Sequence, residues 1–367
     1  MATPHPGQIL DNELAKRKIS QKDLAIMMGK TAPLINGILK GDKNLTVEIA
    51  LLLEAALTDG PTAAEWMRMQ YDFELETEKQ KESTTHRAEL IRKWMMIREH
   101  VNVSSLKKRL ALGSDMEGNI SQVFSAMGVT SITEFEERAQ SYGGRFKMST
   151  TVQTSPENLL TWTLIAKNDS NSIELEDTFS KDKLPELQGK LNEVFYRNED
   201  TEEKVKALLN SYGIKFINNC KRLDQVPVDG FSFWHGPNPT IVVTKRMDRI
   251  DNYAFTIMHE LGHIALHLTS DCKRDFIDLD NKIQHFTNDE DQANEYATKA
   301  LWFGLHPNQI FASIEEPFAA GKALRRISRN HRVNLGIVTG QFQYYCSKKA
   351  DISKPYAICR NFLEHVQ

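Results

Sequence analysis

The chain has 367 residues, 40% of them hydrophobic and 26% charged, with a formal net charge of -3 at pH 7. This composition is typical of globular proteins and excludes a largely disordered, collagen-like or membrane-embedded chain, and the length predicts two or three domains. No apolar run approaches the roughly 18 residues of a bilayer span, and no basic region followed by an apolar one opens the chain. We therefore expect a cytoplasmic protein with no membrane partner. The four cysteines lie far apart, which predicts reduced thiols.

Short helices joined by tight turns are predicted for the first sixty residues, where apolar residues recur at helical spacing. Ser20, with an acid three residues later, indicates a helix start. Gly29 indicates the end of that helix, and Pro33 suits the first turn of the next. Two helices this close together are typical of a helix-turn-helix, whose second helix can lie in the major groove of DNA.

Polar residues on and beside the second helix are the candidates for DNA contact. No acidic residue occurs from Leu24 to Gly41, and carboxylates would oppose contact with phosphates. The candidate contact residues are Gln21, Lys30, Thr31, Asn36, Lys40 and Lys43. Spacing alone also fits a helical dimerisation or capping bundle that binds no nucleic acid, so that alternative stays open.

The N-terminal run closely resembles the HigA-like branch of the Xre (lambda-repressor-type) family over residues 5 to about 70. The matching motifs are His5-Pro6-Gly7, Ser20-Gln21-Lys22-Asp23-Leu24-Ala25, Ile35-Asn36-Gly37-Ile38-Leu39 and Gly41. The resemblance implies an all-α lambda-repressor-like domain that binds operator DNA as a homodimer. Lys30-Thr31-Ala32-Pro33 stands where Val-Ser-Arg-Pro is more usual, so the operator does not follow from the resemblance.

A charged stretch over residues 71–93 predicts a domain boundary, interpreted as a solvated helical linker. Residues 88–210 are predicted to be mostly helical, with turns at Gly113, Gly118, Gly143-Gly144 and Asn168-Asp169-Ser170. Strands are predicted at residues 213–217 and 240–244, where β-branched runs are bounded by turn residues.

The clearest chemical motif is His259-Glu260-Leu261-Gly262-His263. Residues four apart share one face of a helix, so His259 and His263 can present imidazole nitrogens to one zinc ion. Glu260 directly follows the first histidine and is placed to accept a proton from the water that zinc activates. The flanking residues are apolar, which predicts a buried helix and weakens the alternative of two surface histidines.

Catalytic zinc usually has three protein ligands, and the third is expected on another helix. Glu290, near the start of a helical segment, is the first candidate, and Glu295 and His285 are the alternatives. Spacing alone does not separate these three. A fourth ligand at His267, which would close the site, is a further and less favoured possibility.

Residues from about 200 to 345 resemble the ImmA/IrrE family of zinc metallo-endopeptidases, in the form found fused behind a HigA-like domain. The matching segments are Thr240-Ile241-Val242-Val243-Thr244-Lys245-Arg246, Asp251-Asn252-Tyr253-Ala254-Phe255-Thr256, the HELGH motif and Glu290-Asp291-Gln292-Ala293-Asn294-Glu295-Tyr296-Ala297. The resemblance implies that His259, His263 and Glu290 hold Zn2+ and that Glu260 is the catalytic base.

Two further features are open to more than one interpretation. Arg246 is a candidate for binding substrate beside an edge strand, and a surface ion pair with Asp248 or Asp251 is equally consistent. The basic stretch from Lys322 to Arg332 is interpreted as a solvated helix face, with nucleic-acid contact as the less favoured alternative.

Together these patterns predict a multi-domain protein. We expect an all-α lambda-repressor-like helix-turn-helix domain at 1–75, a mostly helical connector at 76–190 and an α+β zincin-like metallopeptidase domain at 191–367. The expected function is a DNA-binding transcriptional regulator whose zinc domain cleaves a partner repressor or toxin-antitoxin protein. The alternative is a HigA-like antitoxin or repressor whose zinc domain senses a signal or binds a toxin without catalysis.

Overall fold

The computed structural model describes residues 3–146, 155–218, 220–221, 223–224, 226–244, 248–269, 275–279, 288–350 and 352–367. The chain divides into two compact units, residues 1–92 and 93–367. A helical N-terminal region is followed by a small mixed sheet with helices, as an α+β peptidase domain requires. No described helix combines the length and apolar character needed to span a bilayer. The division into three domains at residues 75 and 190 stays a prediction.

The unit of residues 1–92 is helical, and the residues predicted to start and end its second and third helices lie where the sequence predicts. The Ser20 hydroxyl accepts a hydrogen bond from the Asp23 backbone N–H and so caps the second helix. Gly29 follows that helix with φ +60°, and Pro33 lies in the first turn of the third. The helix-turn-helix fold itself stays a prediction. The helices are α1 (Pro6–Arg17), α2 (Gln21–Met27), α3 (Ala32–Lys40), α4 (Val47–Ala56) and α5 (Ala63–Gln80).

The conformation at His5 explains several residues of the N-terminal motif. Its Nδ1 accepts a hydrogen bond from the Gly7 backbone N–H at 2.9 Å, and its ring packs edge-on against Phe73. A Cβ on Gly7 would overlap the carbonyl oxygen of Ile38 in α3. Gly41, with φ +79°, ends α3 over the same histidine ring. Both glycines are therefore required by the close packing of α1 on α3.

A run of helices precedes the sheet, and several predicted turns are wrong. Gly118 lies inside α8, Gly143-Gly144 inside α9 and Asn168-Asp169-Ser170 inside α10. In α10, which is buried on almost every side, tertiary burial outweighs local propensity. Gly118, by contrast, is exposed in the first turn of α8. The helices are α6 (Glu82–His100), α7 (Val103–Leu110), α8 (Met116–Met127), α9 (Ile132–Phe146), α10 (Pro156–Asn171), α11 (Leu184–Arg197) and α12 (Thr201–Ser211).

A four-stranded mixed sheet follows, with strand order β1-β3-β2-β4. Its strands are β1 (Lys215–Ile217), β2 (Val228–His235), β3 (Asn238–Val243) and β4 (Phe276–Leu279). The first is parallel to β3, whereas β2 is antiparallel to both β3 and β4. The two predicted strands correspond to β1 and β3, while β2 and β4 were not predicted. The strand β2 is hard to predict because Asp229-Gly230 is typical of a turn. In the structure this pair lies in a central strand, and the register of β2 against β4 is irregular there.

The remaining helices include α13, which packs on the sheet and is buried along most of its length. They are α13 (Ile250–Leu266), α14 (Asn288–Leu301), α15 (Pro307–Phe311), α16 (Gly321–His331) and α17 (Leu335–Ser347). The HELGH motif lies in the C-terminal half of α13, where all five of its residues are buried.

A buried polar cluster connects the connector helices to the beginning of β4. The Lys167 ammonium in α10 lies 2.7 Å from Asp275 Oδ2, and both side chains are less than a tenth exposed. Tyr142 in α9 donates its hydroxyl to the same carboxylate. Asp275 directly precedes Phe276, the first residue of β4. This cluster therefore holds the edge strand against α9 and α10.

We expect Lys167→Met to lower the free energy of unfolding by about 3–5 kcal/mol, because it removes one partner of the buried Lys167–Asp275 ion pair. Urea denaturation followed by tryptophan fluorescence measures the loss. The control, Lys206→Met, changes an exposed lysine on α12 and should stay within about 0.5 kcal/mol. The double variant Lys167→Met/Asp275→Leu should recover part of the loss. Equal stability of Lys167→Met and the control would contradict this account.

Candidate metal centre

The candidate metal centre forms where α13 and α14 approach closely. A Cβ on Gly262 would lie 3.1 Å from the Ala293 Cα and 3.2 Å from the Tyr296 side chain, so a larger residue would push the helices apart. Gly262 lies inside the HELGH motif, and Ala293 lies one turn after Glu290. This close packing brings the first turn of α14 beside the two histidines of α13.

Three predicted ligand residues come together at this point. His259 Nε2 and His263 Nε2 are 3.0 Å apart, and Glu290 Oε2 lies 3.1 Å from the first and 3.5 Å from the second. Both histidine side chains are at most 2% exposed, and that of Glu290 is 12% exposed. Within the described chain these three form a group whose ligand atoms all lie within 4.8 Å of one another.

Burial and mutual contact give these groups the charge states that metal ligands need. Burial lowers the pKa of His263 to about 4, against the opposing effect of the Glu290 carboxylate. For Glu290 burial alone would raise the pKa, but its close contacts with His259 and His263 outweigh burial and lower the pKa to about 2. At neutral pH His263 is therefore neutral and Glu290 is ionised, as metal binding requires.

The outer nitrogens of the two imidazoles determine which tautomers are present. His259 Nδ1 lies 3.0 Å from Asn294 Oδ1, and because an amide oxygen only accepts, the ring must donate there. His267 Nε2 likewise donates to Gln292 Oε1 at 3.2 Å, which leaves its Nδ1 as an acceptor. His263 Nδ1, 3.0 Å away, donates to that nitrogen. In its neutral form each of these two histidines therefore carries a lone pair on Nε2.

This donor set fits a cation. Two imidazole lone pairs and an ionised carboxylate face the same small volume, where they would repel one another without a positive charge. Two histidines and one carboxylate are a common ligand set for catalytic zinc, which keeps a further position open. The residues present therefore fit a zinc ion held by His259, His263 and Glu290.

Glu260 is held between α13 and the sheet. Its side chain is fully buried, and a Cβ on Gly230 of β2 would overlap its Oε1 and lie 2.8 Å from the Thr256 Cγ2. The irregular register of β2 against β4 occurs at this glycine. The absence of a side chain at residue 230 thus makes the space that the Glu260 carboxylate occupies.

The remaining candidates from the sequence lie elsewhere or outside the described residues. Glu295 pairs with Lys299 on the surface at 2.6 Å, so it is not beside the histidines. His267 directs its ring at His263 and Gln292 rather than at Glu290, so it supports a ligand instead of joining the ligand set. Arg246 and His285 lie outside the described residues.

In the N-terminal unit the candidate DNA-contact residues differ in their freedom to reach a partner. Thr31 is the N-cap of α3 and makes no capping hydrogen bond with its side chain. Lys30 pairs with Glu48 of α4 at 2.6 Å, so the acid-free sequence segment has a carboxylate beside it in space. Gln21, Lys40 and Lys43 are exposed, and Asn36 is half-buried.

Sequence reasoning missed the residues that support the ligands. Gln292 and Asn294 lie within the matching motif around Glu290, but the resemblance assigns them no role, and no sequence pattern marks Phe276 as functional. Phe276 stacks on the His263 ring with centroids 4.3 Å apart. Asn294 lies four residues after Glu290, and that spacing on one helix face was the available signal. The contact of Gly230 with Glu260 could not be predicted, because Asp229-Gly230 is typical of a turn in sequence.

A comparison with known families agrees with the position of this site. The model of the peptidase M78 family, described as the IrrE N-terminal-like domain, matches residues 211–337. The matched segment contains both histidines, Glu260 and Glu290, and it confirms the predicted resemblance for this part of the chain. No curated protein matches the chain. The resemblance of the N-terminal unit to Xre regulators stays a prediction.

We expect His267→Ala to weaken zinc binding by about 10- to 100-fold while the chain still binds one ion, because His263 loses the acceptor that fixes its tautomer. Competition with a chromophoric chelator measures the affinity. The matched control is His306→Ala, an exposed histidine at the start of α15, which should leave the affinity unchanged. Complete loss of zinc in His267→Ala would instead make His267 a ligand, and unchanged affinity would remove its supporting role.

Proposed function

We propose that the chain is a zinc-dependent endopeptidase joined to a DNA-binding regulatory unit. The observation that carries the peptidase assignment is the convergence of His259 Nε2, His263 Nε2 and the Glu290 carboxylate in one buried group. The match of residues 211–337 to a metallopeptidase family supports the same chemistry.

Each residue of the site has a separate task in this proposal. His259, His263 and Glu290 hold the ion, and Asn294 and His267 keep the two imidazoles in the tautomers that bind it. Zinc bound there would polarise the scissile carbonyl and lower the pKa of water toward about 7. Glu260 accepts the proton of the attacking water on its carboxylate and then transfers it to the leaving amine.

The proposed substrate is a protein, namely a partner repressor or a component of a toxin-antitoxin pair. The support is the combination of a peptidase site with a predicted operator-binding unit in one chain, since removal of a repressor is a direct route to changed transcription. The competing function is a metal-containing binding module that senses a signal or holds a toxin without hydrolysis. A functional requirement for Glu260 separates the two.

The DNA-binding part of the proposal concerns residues 1–92. Its support is the pair of short helices α2 and α3, the resemblance over residues 5 to about 70, and the exposed Thr31, Lys40 and Lys43. We propose that α3 lies in the major groove and that a second copy of the chain binds the other half-site, because a two-fold operator requires a two-fold protein.

Glu260→Gln should keep zinc and fold but lose peptidase activity by a factor on the order of 10² or more, because it removes the proton acceptor and retains the shape of the side chain. The measurement is the half-life of the partner regulator, encoded nearby or recovered with this protein, when each form is co-expressed with it. Zinc content is determined on the same preparations.

The matched control is Glu295→Gln, which changes a surface carboxylate of α14 and should cleave as the wild type does. If wild type and Glu260→Gln leave every such partner equally intact while both regulate transcription, the binding-module function replaces the enzyme. If Glu260→Gln cleaves normally, another group is the base.

Glu48→Gln should raise the affinity for duplex DNA, because it releases Lys30 for phosphate contact. An exposed ion pair contributes up to about 1 kcal/mol, so the expected gain is at most about fivefold at low salt. Fluorescence anisotropy with a duplex from the chain's own promoter measures it. The control Glu76→Gln removes the same charge from α5 of the same unit. An equal gain in both variants would indicate a net-charge effect, and no binding by any form would overturn the DNA-binding assignment.

A further inference from the structure

The C-terminal part of the chain is strongly basic. Residues 317–363 contain nine lysines and arginines and a single acid, Asp351, so this segment carries +8 while the whole chain carries -3. Such a charge asymmetry within one chain indicates a polyanionic partner for that segment. The proposed peptidase chemistry makes no use of it.

Helix α16 presents three of these cations to solvent without an acidic neighbour. Lys322, Arg326 and Arg329 are exposed, and within the described residues none of them has an ion-pair partner. Some cations on other helices are paired locally, as in the i, i+4 pairs Glu186–Lys190 and Glu295–Lys299. The sequence of α16 contains no carboxylate that could do the same.

The other face of α16 is fixed by packing, so the cationic face is rigid. Leu324 and Ile327 are buried against the core of the unit. Arg325 lies over the Phe362 ring, and Arg332 pairs with Glu193 at 2.6 Å, so these two cations are already engaged.

The spacing of the three free cations suits a line of phosphates. Residues 322, 326 and 329 follow one side of the helix at intervals of four and three, and the helical rise puts the first and last about 10 Å apart along the axis. A duplex carries one negative charge per about 1.7 Å of its length. A duplex aligned with the cationic face would therefore present several phosphates to it at once.

We infer that the exposed face of α16, formed by Lys322, Arg326 and Arg329, binds the phosphate backbone of duplex DNA. The inference rests on the proposed function, because residues 1–92 bring the chain to DNA and covalent linkage raises the effective concentration of the second contact. Within α16 no large apolar side chain is exposed, and the exposed Phe318 precedes the helix. A protein partner gains most of its affinity from buried aromatic and apolar anchors, whereas phosphate binding is electrostatic, so DNA is the better match.

The test uses the full chain and a duplex from its own promoter, with affinity measured by fluorescence anisotropy from about 50 to 200 mM salt. Arg326→Ser/Arg329→Ser should reduce the slope of log affinity against log salt by about two, since each lost phosphate contact removes about 0.9. The control Lys204→Ser/Lys206→Ser removes two exposed cations from α12 and should leave the slope unchanged. Lys40→Ser/Lys43→Ser tests the N-terminal contact on the same duplex.

An unchanged slope in Arg326→Ser/Arg329→Ser, with weaker binding in Lys40→Ser/Lys43→Ser, overturns the inference and leaves the proposed function intact. An equal fall in the α12 control assigns the effect to net charge and overturns the inference as well. Wild-type binding in Lys40→Ser/Lys43→Ser, with a reduced slope in the α16 variant, overturns the N-terminal assignment and keeps the inference. Polyglutamate that binds the wild type as tightly as the duplex would make the partner an acidic protein instead.

Discussion

The candidate site depends on one close approach, that of α13 and α14 at Gly262 and Ala293. Without a side chain at residue 262, the α14 backbone comes within van der Waals distance of the HELGH helix. Glu290 lies one turn before Ala293 and so reaches the two Nε2 atoms. A larger residue at either position would increase the helix separation and move the carboxylate away from the imidazoles, although no ligand had been changed.

Residues around the three candidate ligands determine which imidazole nitrogens carry protons. Asn294 and Gln292 belong to the same turns of α14 as Glu290, and their amide oxygens fix the proton positions of His259 and, through His267, of His263. One helix therefore supplies both a ligand and the groups that prepare the other two ligands. Because amide oxygens cannot donate, the donor and the acceptor of each of these hydrogen bonds are determined.

The sequence predicts the part of the site that depends on local geometry. Residues four apart on a helix share a face, so His259 and His263 follow from spacing alone. Spacing did not separate Glu290 from Glu295 or His285, and only the family resemblance favoured Glu290. In the structure, Glu290 shares a helix face with the buried Ala293 and Ala297.

What the sequence could not predict depends on contacts between distant segments. The pairing of Lys30 with Glu48 joins residues 18 apart, and the turn-like Asp229-Gly230 becomes a strand because the sheet and Glu260 surround it. Asn168-Asp169-Ser170 likewise continues a helix because α10 is buried on almost every side. Local propensity is a weak signal wherever burial supplies most of the stabilising free energy.

The edge strand β4 links two parts of the larger unit energetically. Phe276 stacks on His263, while the preceding Asp275 is held by Lys167 of α10 and Tyr142 of α9. Binding equilibria at coupled positions are reciprocal. A metal ion that requires His263 in this orientation would stabilise the packing of α9 and α10 on β4, and a change that loosens that packing would lower the metal affinity by the same factor. With a metal bound there, the connector helices would be thermodynamic partners of the site.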